Sequence, residues 1–130
     1  MSEATILIIE DDADVCESLG DVIEMKGCYT TQKALTAQGA LAKASEKFFN
    51  VIVQDLTLPD MDGIELLRQL KKLYQATEVI ILTGQTSLEK AEEAMREGAF
   101  DYLVKPSRPE KLMGAIEKAL AKQGVLPGEV

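Results

Sequence analysis

Residues 6–12 read Ile6-Leu7-Ile8-Ile9-Glu10-Asp11-Asp12, four aliphatic side chains in a row closed by three acids. A strand with one wet face alternates apolar and polar residues, so an unbroken run marks a strand covered on both faces, as in a parallel sheet. Residues 51–53, 79–82 and 103–104 have the same character, the last preceded by Phe100 and Tyr102. A weaker fifth strand is expected over residues 28–33, where Tyr29, Thr30 and Thr31 supply the propensity.

Between the runs the period becomes helical. Val15, Leu19, Val22 and Ile23 form one stripe; Ala37, Ala40, Leu41, Ala44 and Phe48 form another; Leu112, Ala115, Ile116, Ala119 and Leu120 form a third. Two further helices are expected over residues 64–74 and 88–97. Asp12 is a good helix N-cap, Thr86 with Glu89 and Ser107 with Glu110 read as capping boxes, and Gly27 and Gly98 stand where helices stop. Strand followed by helix, five times over, predicts an α/β fold: a doubly wound five-stranded parallel sheet with right-handed crossovers and helices on both faces.

A chain of 130 residues is the size of one domain. Residues 1–122 are expected to form it, and residues 123–130, with Gly124, Pro127 and Gly128, to be a loose tail or linker stub. Lys and Arg number 14 against 22 Asp and Glu, a net charge of −8, which repels phosphate backbones and disfavours direct nucleic-acid binding. The absence of His excludes Ser-His-Asp and Cys-His chemistry within this chain. Cys16 and Cys28 lack metal-ligand spacing and read as small buried apolar side chains of a reduced, cytoplasmic protein. The run at residues 6–9 is too short for a membrane span or a signal peptide.

Ligands of open parallel sheets bind beyond the carboxyl ends of the strands. Glu10, Asp11 and Asp12 follow the first strand, Asp55 the third, Thr83 the fourth and Lys105 the fifth, so residues far apart in sequence should converge. Acids gathered closely repel, and a hard divalent cation with oxygen ligands relieves that repulsion. Mg2+ fits best, because it takes one or two carboxylates and keeps room for water and a phosphate. A carboxylate beside it could serve as nucleophile toward a phosphoryl group, with Lys105 as a point charge and Thr83 as a hydroxyl donor.

Taken together, Glu10-Asp11-Asp12, the stretch Asp55-Leu56-Thr57-Leu58-Pro59-Asp60-Met61-Asp62-Gly63, Leu82-Thr83-Gly84 and Lys105-Pro106 resemble the receiver domain of two-component response regulators. Each motif is weak alone; the combination, in family order over residues 4–122, is specific. The resemblance implies a flavodoxin-like fold of strand order 2-1-3-4-5, with Asp55 phosphorylated by a partner histidine kinase or phosphotransfer protein. It implies Asp11 as a direct Mg2+ ligand, Glu10 acting mainly through water, Asp55 as a further ligand and the Thr57 backbone carbonyl as another. Lys105 would pair with the phosphoryl group, Thr83 would move toward it, and Tyr102 would turn inward into the space vacated beneath Thr83. The bond before Pro106 is usually cis in the family. The protein would not be an enzyme toward a separate substrate, catalysing only its own phosphorylation and dephosphorylation. The surface of the fourth helix, fifth strand and fifth helix would then switch, controlling a downstream output domain or protein or mediating a homodimer.

Cys16, Gly84 and Ser107 depart from the commonest family pattern, and Gly84, lacking a side chain at the site entrance, is expected to alter the lifetime of phosphorylated Asp55. Three rivals fare worse; one, a degenerate receiver serving as a constitutive docking module, is opposed by the intact acids and Lys105. A haloacid-dehalogenase-like phosphatase needs a second Asp where this chain has Thr57, and a flavin-binding protein would meet repulsion between its phosphate and the acids at residues 10–12.

Overall fold

The computed structural model describes residues 4–125. Strands and helices alternate: β1 (Ala4–Ile9), α1 (Ala13–Glu24), β2 (Tyr29–Ala34), α2 (Ala37–Glu46), β3 (Val51–Gln54), α3 (Gly63–Leu73), β4 (Glu78–Thr83), α4 (Leu88–Arg96), β5 (Asp101–Val104) and α5 (Pro109–Lys122). The five strands form one parallel sheet in the order β2-β1-β3-β4-β5. This is the expected flavodoxin-like order.

The unbroken apolar runs have a simple cause. Successive residues of a strand point to opposite faces, and here both faces are covered. Ile6, Ile8, Val51, Val53, Ile80 and Leu82 pack with Cys16 and Ile23 of α1 and Ile116 and Leu120 of α5. Leu7, Ile9, Ile52, Val79 and Ile81 pack on the other side with residues of α2, α3 and α4.

Three local expectations are corrected. In α1 the buried residues are Cys16, Gly20 and Ile23, so the inward face is rotated by about one position and Val15, Leu19 and Val22 line its edge. After α2 the backbone at Lys47 is extended, which turns Phe49 into the core and leaves Phe48 outside, stacked edge-on against Tyr74 at 5.5 Å. Neither predicted capping box forms. Ser87, not Thr86, caps α4, its hydroxyl accepting from Lys90 N. α5 begins at Pro109 with Arg108 as its cap residue, because proline's fixed φ and missing N–H suit the first helical position. Ser107 Oγ is consequently buried with no hydrogen-bond partner among the described residues. Asp12 does cap α1, and Gly27 and Gly98 hold φ of 76° and 104° just past α1 and α4, as their positions predict. Of the two cysteines expected to be buried, Cys16 is, while Cys28 is only partly so.

The chain beyond Lys122 does not come loose at once. Gly124, at φ 85°, bonds back to Ala121 O, and Val125 N bonds to Leu120 O, the pair of reversed bonds that closes a Schellman cap. Gln123 Nε2 donates to Asn50 O and to Ala76 O, both at 2.7 Å. This clasp joins the end of α5 to the amino-terminal edge of β3 and β4. Residues 126–130 of the expected tail lie outside the described residues.

Candidate functional site

The carboxyl edge of the sheet gathers Glu10 from the end of β1, Asp55 from the end of β3, Thr83 from the end of β4 and Lys105 from just past β5. Glu10, Asp55 and Thr83 are buried, at 4%, 7% and 0% exposure, which no acid accepts without partners. Lys105 Nζ supplies them, lying 3.0 Å from both oxygens of Glu10 and 2.8 Å from Asp55 Oδ2. The other Asp55 oxygen, Oδ1, accepts from Thr83 Oγ1 at 2.7 Å and from the Thr57 amide at 3.0 Å. The Lys105–Pro106 bond is cis.

Two buried acids around one ammonium leave the cluster one negative charge in excess. Burial, and after it the nearness of Asp55, push the Glu10 carboxyl up to about 7 against the pull of Lys105. Burial would also raise Asp55, but its bonds with Glu10, Lys105, the Thr57 amide and Thr83 outweigh that and hold it down to about 2. Asp55 therefore stays ionised at neutral pH, as a nucleophile must.

The other expected members sit differently. Asp11 is exposed, and among the described residues no three His, Cys, Asp or Glu side chains gather into a group that could hold a metal ion. The expected convergence is thus met by Glu10, Asp55, Thr83 and Lys105, while Asp11 stays at the rim; with Lys105 already neutralising one charge, solvent is the cheaper place for a third acid. Thr57 is exposed, and its amide donates to Asp55 Oδ1. In the unphosphorylated chain Thr83 Oγ1 is engaged with Asp55 itself. Tyr102 is half-buried, its hydroxyl donating to Gln85 O at 3.0 Å.

Sequence reasoning misses Gln85. Its Nε2 donates to Thr57 Oγ1 at 3.1 Å and its amide to Thr83 Oγ1 at 3.4 Å, so the loop after β4 reaches across to the loop after β3. The one signal for it is its place two residues beyond Thr83, at the strand edge where ligands bind. Cys16 reads in sequence only as apolar filling, yet its Sγ–H donates to Glu10 O at 3.3 Å and helps fix the acid's backbone. Gly63 is required sterically, since a Cβ there would lie 2.4 Å from Leu56 Cα.

Strand order and polar edge together define a flavodoxin-like α/β domain whose binding edge is acidic rather than lined by phosphate-cradling hydroxyls. Residues 6–117 match the family described as the response regulator receiver domain, and the chain belongs to that family. It is 38% identical over 116 residues to the transcriptional regulatory protein ZraR of Salmonella typhimurium, covering 89% of this chain and 26% of that protein. It is 36% identical over 119 residues to the transcriptional regulatory protein FixJ of Rhizobium meliloti, covering 92% of this chain and 58% of that one. The chain thus spans about a quarter of ZraR and under two thirds of FixJ. Among solved structures, a CheY-like receiver domain from Methanospirillum hungatei JF-1 superposes with a TM-score of 0.91 at 37% identity, covering 95% of this chain and 98% of that one. A receiver domain from Clostridium thermocellum gives 0.87 at 32% identity, over 93% and 97%. Among the described residues no helix is long and apolar enough to cross a membrane.

Proposed function

We propose that Asp55 accepts a phosphoryl group from a histidine kinase or phosphotransfer protein in the cytoplasm, and that the chain thereby acts as the switch of a phosphorelay. The observation that carries this reading is the buried Asp55 carboxyl held between the Lys105 ammonium and the Thr83 hydroxyl at the ligand-binding edge of the sheet. An Asp55 oxygen attacks phosphorus, the bond to the donor nitrogen breaks, and the electron pair leaves with that nitrogen, which takes up a proton. Lys105 balances charge on the arriving phosphoryl oxygens and Thr83 donates to one of them.

The donor set fits a hard cation: Glu10 and Asp55 are oxygen donors in charge excess, the Thr57 carbonyl lies on the adjoining loop, and Asp11 stands at the rim with its carboxylate in solvent. These are the groups that would hold Mg2+, which when bound supplies positive charge to the phosphoryl oxygens. Lys105 must then turn from Glu10 toward the phosphoryl group. The protein acts on no separate substrate, only forming and losing its own acyl phosphate.

The output face is α4, β5 and α5. α4 buries only Ala94, and Leu88 and Met95 on α4 and Val104 on β5 stand exposed. Whether this face meets an output domain, another protein or a second copy, its change of shape is driven by the new bonds that phosphorylated Asp55 draws from Thr83 and Lys105. Intact mass after acetyl phosphate and Mg2+ tests the acceptor. The native chain should gain one phosphoryl group and Asp55→Asn none. An equal gain in both, or none in either, overturns the assignment.

A further inference from the structure

Asp60 lies in the loop between β3 and α3 and is exposed, yet both its oxygens are engaged. Oδ1 accepts from Ala37 N at 2.8 Å and Oδ2 from Gln38 N at 2.9 Å, the first two amides of α2. α2 has no acidic residue in its own first turn, and its own cap, Thr36, reaches only the third amide, that of Gly39. A helix opens with amides that have no partner inside it and favour a nearby negative charge. Here that charge comes from another element, 22 residues or more along the chain. Those bonds hold the Asp60 carboxyl below its usual range.

The same loop carries Thr57, whose amide donates to Asp55 and whose hydroxyl accepts from Gln85. Its far end is pinned by the bridge from Thr57 to Asp62, by Gly63 against Leu56, and by Gln54 Nε2 donating to Gly63 O at 2.7 Å. Leu58 and Met61 of the outer turn pack against the core, and between them Asp60 ties the turn to α2. We infer that Asp60 is a positioning residue: by bonding the start of α2 it fixes the loop that sets the Thr57 amide and carbonyl beside Asp55. The surface of α2 is thereby coupled to the affinity of the site for a divalent cation, an inference that rests on the proposed cation site.

The test compares native chain, Asp60→Ala, Asp60→Asn and Thr36→Ala by calorimetric titration with MgCl2 alone and by amide hydrogen exchange at Thr57 without metal. Thr36→Ala removes the other cap of the same helix but leaves the loop tie, so it controls for general weakening of α2. Asp60→Ala should bind Mg2+ about tenfold more weakly, the low end of what loss of a group behind a metal ligand costs. It should also speed exchange at Thr57. Asp60→Asn, which keeps one acceptor oxygen, should fall between, and Thr36→Ala should match the native chain in both readings. Native affinity and exchange in Asp60→Ala overturn the inference, as does an equal loss in Thr36→Ala. Should Asp60→Ala not fold, Asp60→Asn decides, and native behaviour there overturns it. If the native chain itself binds no Mg2+, the cation site falls and the inference with it.

Discussion

At the scale of single residues, Glu10 is the group most out of its ordinary range. Its carboxyl titrates at about 7 in the folded chain against 4.5 for a freely hydrated glutamate. Between those values the folded state holds a proton that the unfolded state has lost, so metal-free stability must fall as pH rises through that window, by at most about 1.4 kcal/mol per pH unit. Urea unfolding in EDTA at several pH values should show this slope, and Glu10→Gln should flatten it; an unchanged slope means that another group titrates there. Asp55 has the opposite sign, its stabilisation being present above the usual carboxylate range and lost toward pH 2. Gly84 offers a second test. A Cβ there would meet nothing within 4 Å, so Gly84→Ala should fold normally while covering part of the entrance. Slower loss of the phosphoryl group, followed by mass against time, is the expected result. Gly63 is the contrary case, since its absent Cβ makes room for Leu56; Gly63→Ala should cost about 3 kcal/mol or more in chemical denaturation, at the upper end of overpacking effects.

Among the elements, α4 is the least tied. Ala94 is its one buried residue, and Arg68 of α3 reaches across to Glu93 at 3.5 Å and Glu97 at 3.2 Å while also pairing with Glu65. All these side chains are about a third exposed or more, so the link is modest and screened by salt. Arg68→Ala should raise hydrogen exchange in α4 selectively, leave the melting temperature nearly unchanged, and lose its effect in high salt; uniform exchange across the chain would contradict this. Elements also show what one chain's letters reveal. Runs such as Ile6 to Ile9 announce their strands because both faces must be apolar, and α5 announces its buried stripe because its wet and dry sides differ sharply. The face of α1 is misread by a position because Cys16 and Gly20, small residues that add little to an apolar stripe, are the ones that fit against the sheet. Phe48 and Phe49 look alike in sequence, and only the extended backbone at Lys47 decides which turns inward. Likewise Thr86 and Ser87 compete for one cap, and the choice depends on where β4 releases the chain.

Over the whole molecule, Glu10, Asp55, Thr83 and Lys105 are legible because a parallel sheet delivers the ends of its strands to one edge. Gln85 and Asp60 are not, since their partners lie on other elements and no local pattern encodes that reach. The same wholeness governs the output face. Leu88, at 73% exposure, and Met95 on α4 and Val104 on β5 are exposed apolar side chains on a strongly acidic molecule. Saturating beryllium trifluoride with Mg2+ should shift the sedimentation of the native chain toward a dimer, and Leu88→Glu should abolish that shift. Unchanged sedimentation would leave the face to a different partner.

The Gln123 clasp has a practical corollary. Because α5 is buttoned to the amino ends of β3 and β4, Val125 leaves from the pole farthest from Asp55. A biotin anchor or fluorescent dye grafted there would let the chain be immobilised on a sensor chip with its reactive pole turned outward, open to whatever donor flows past.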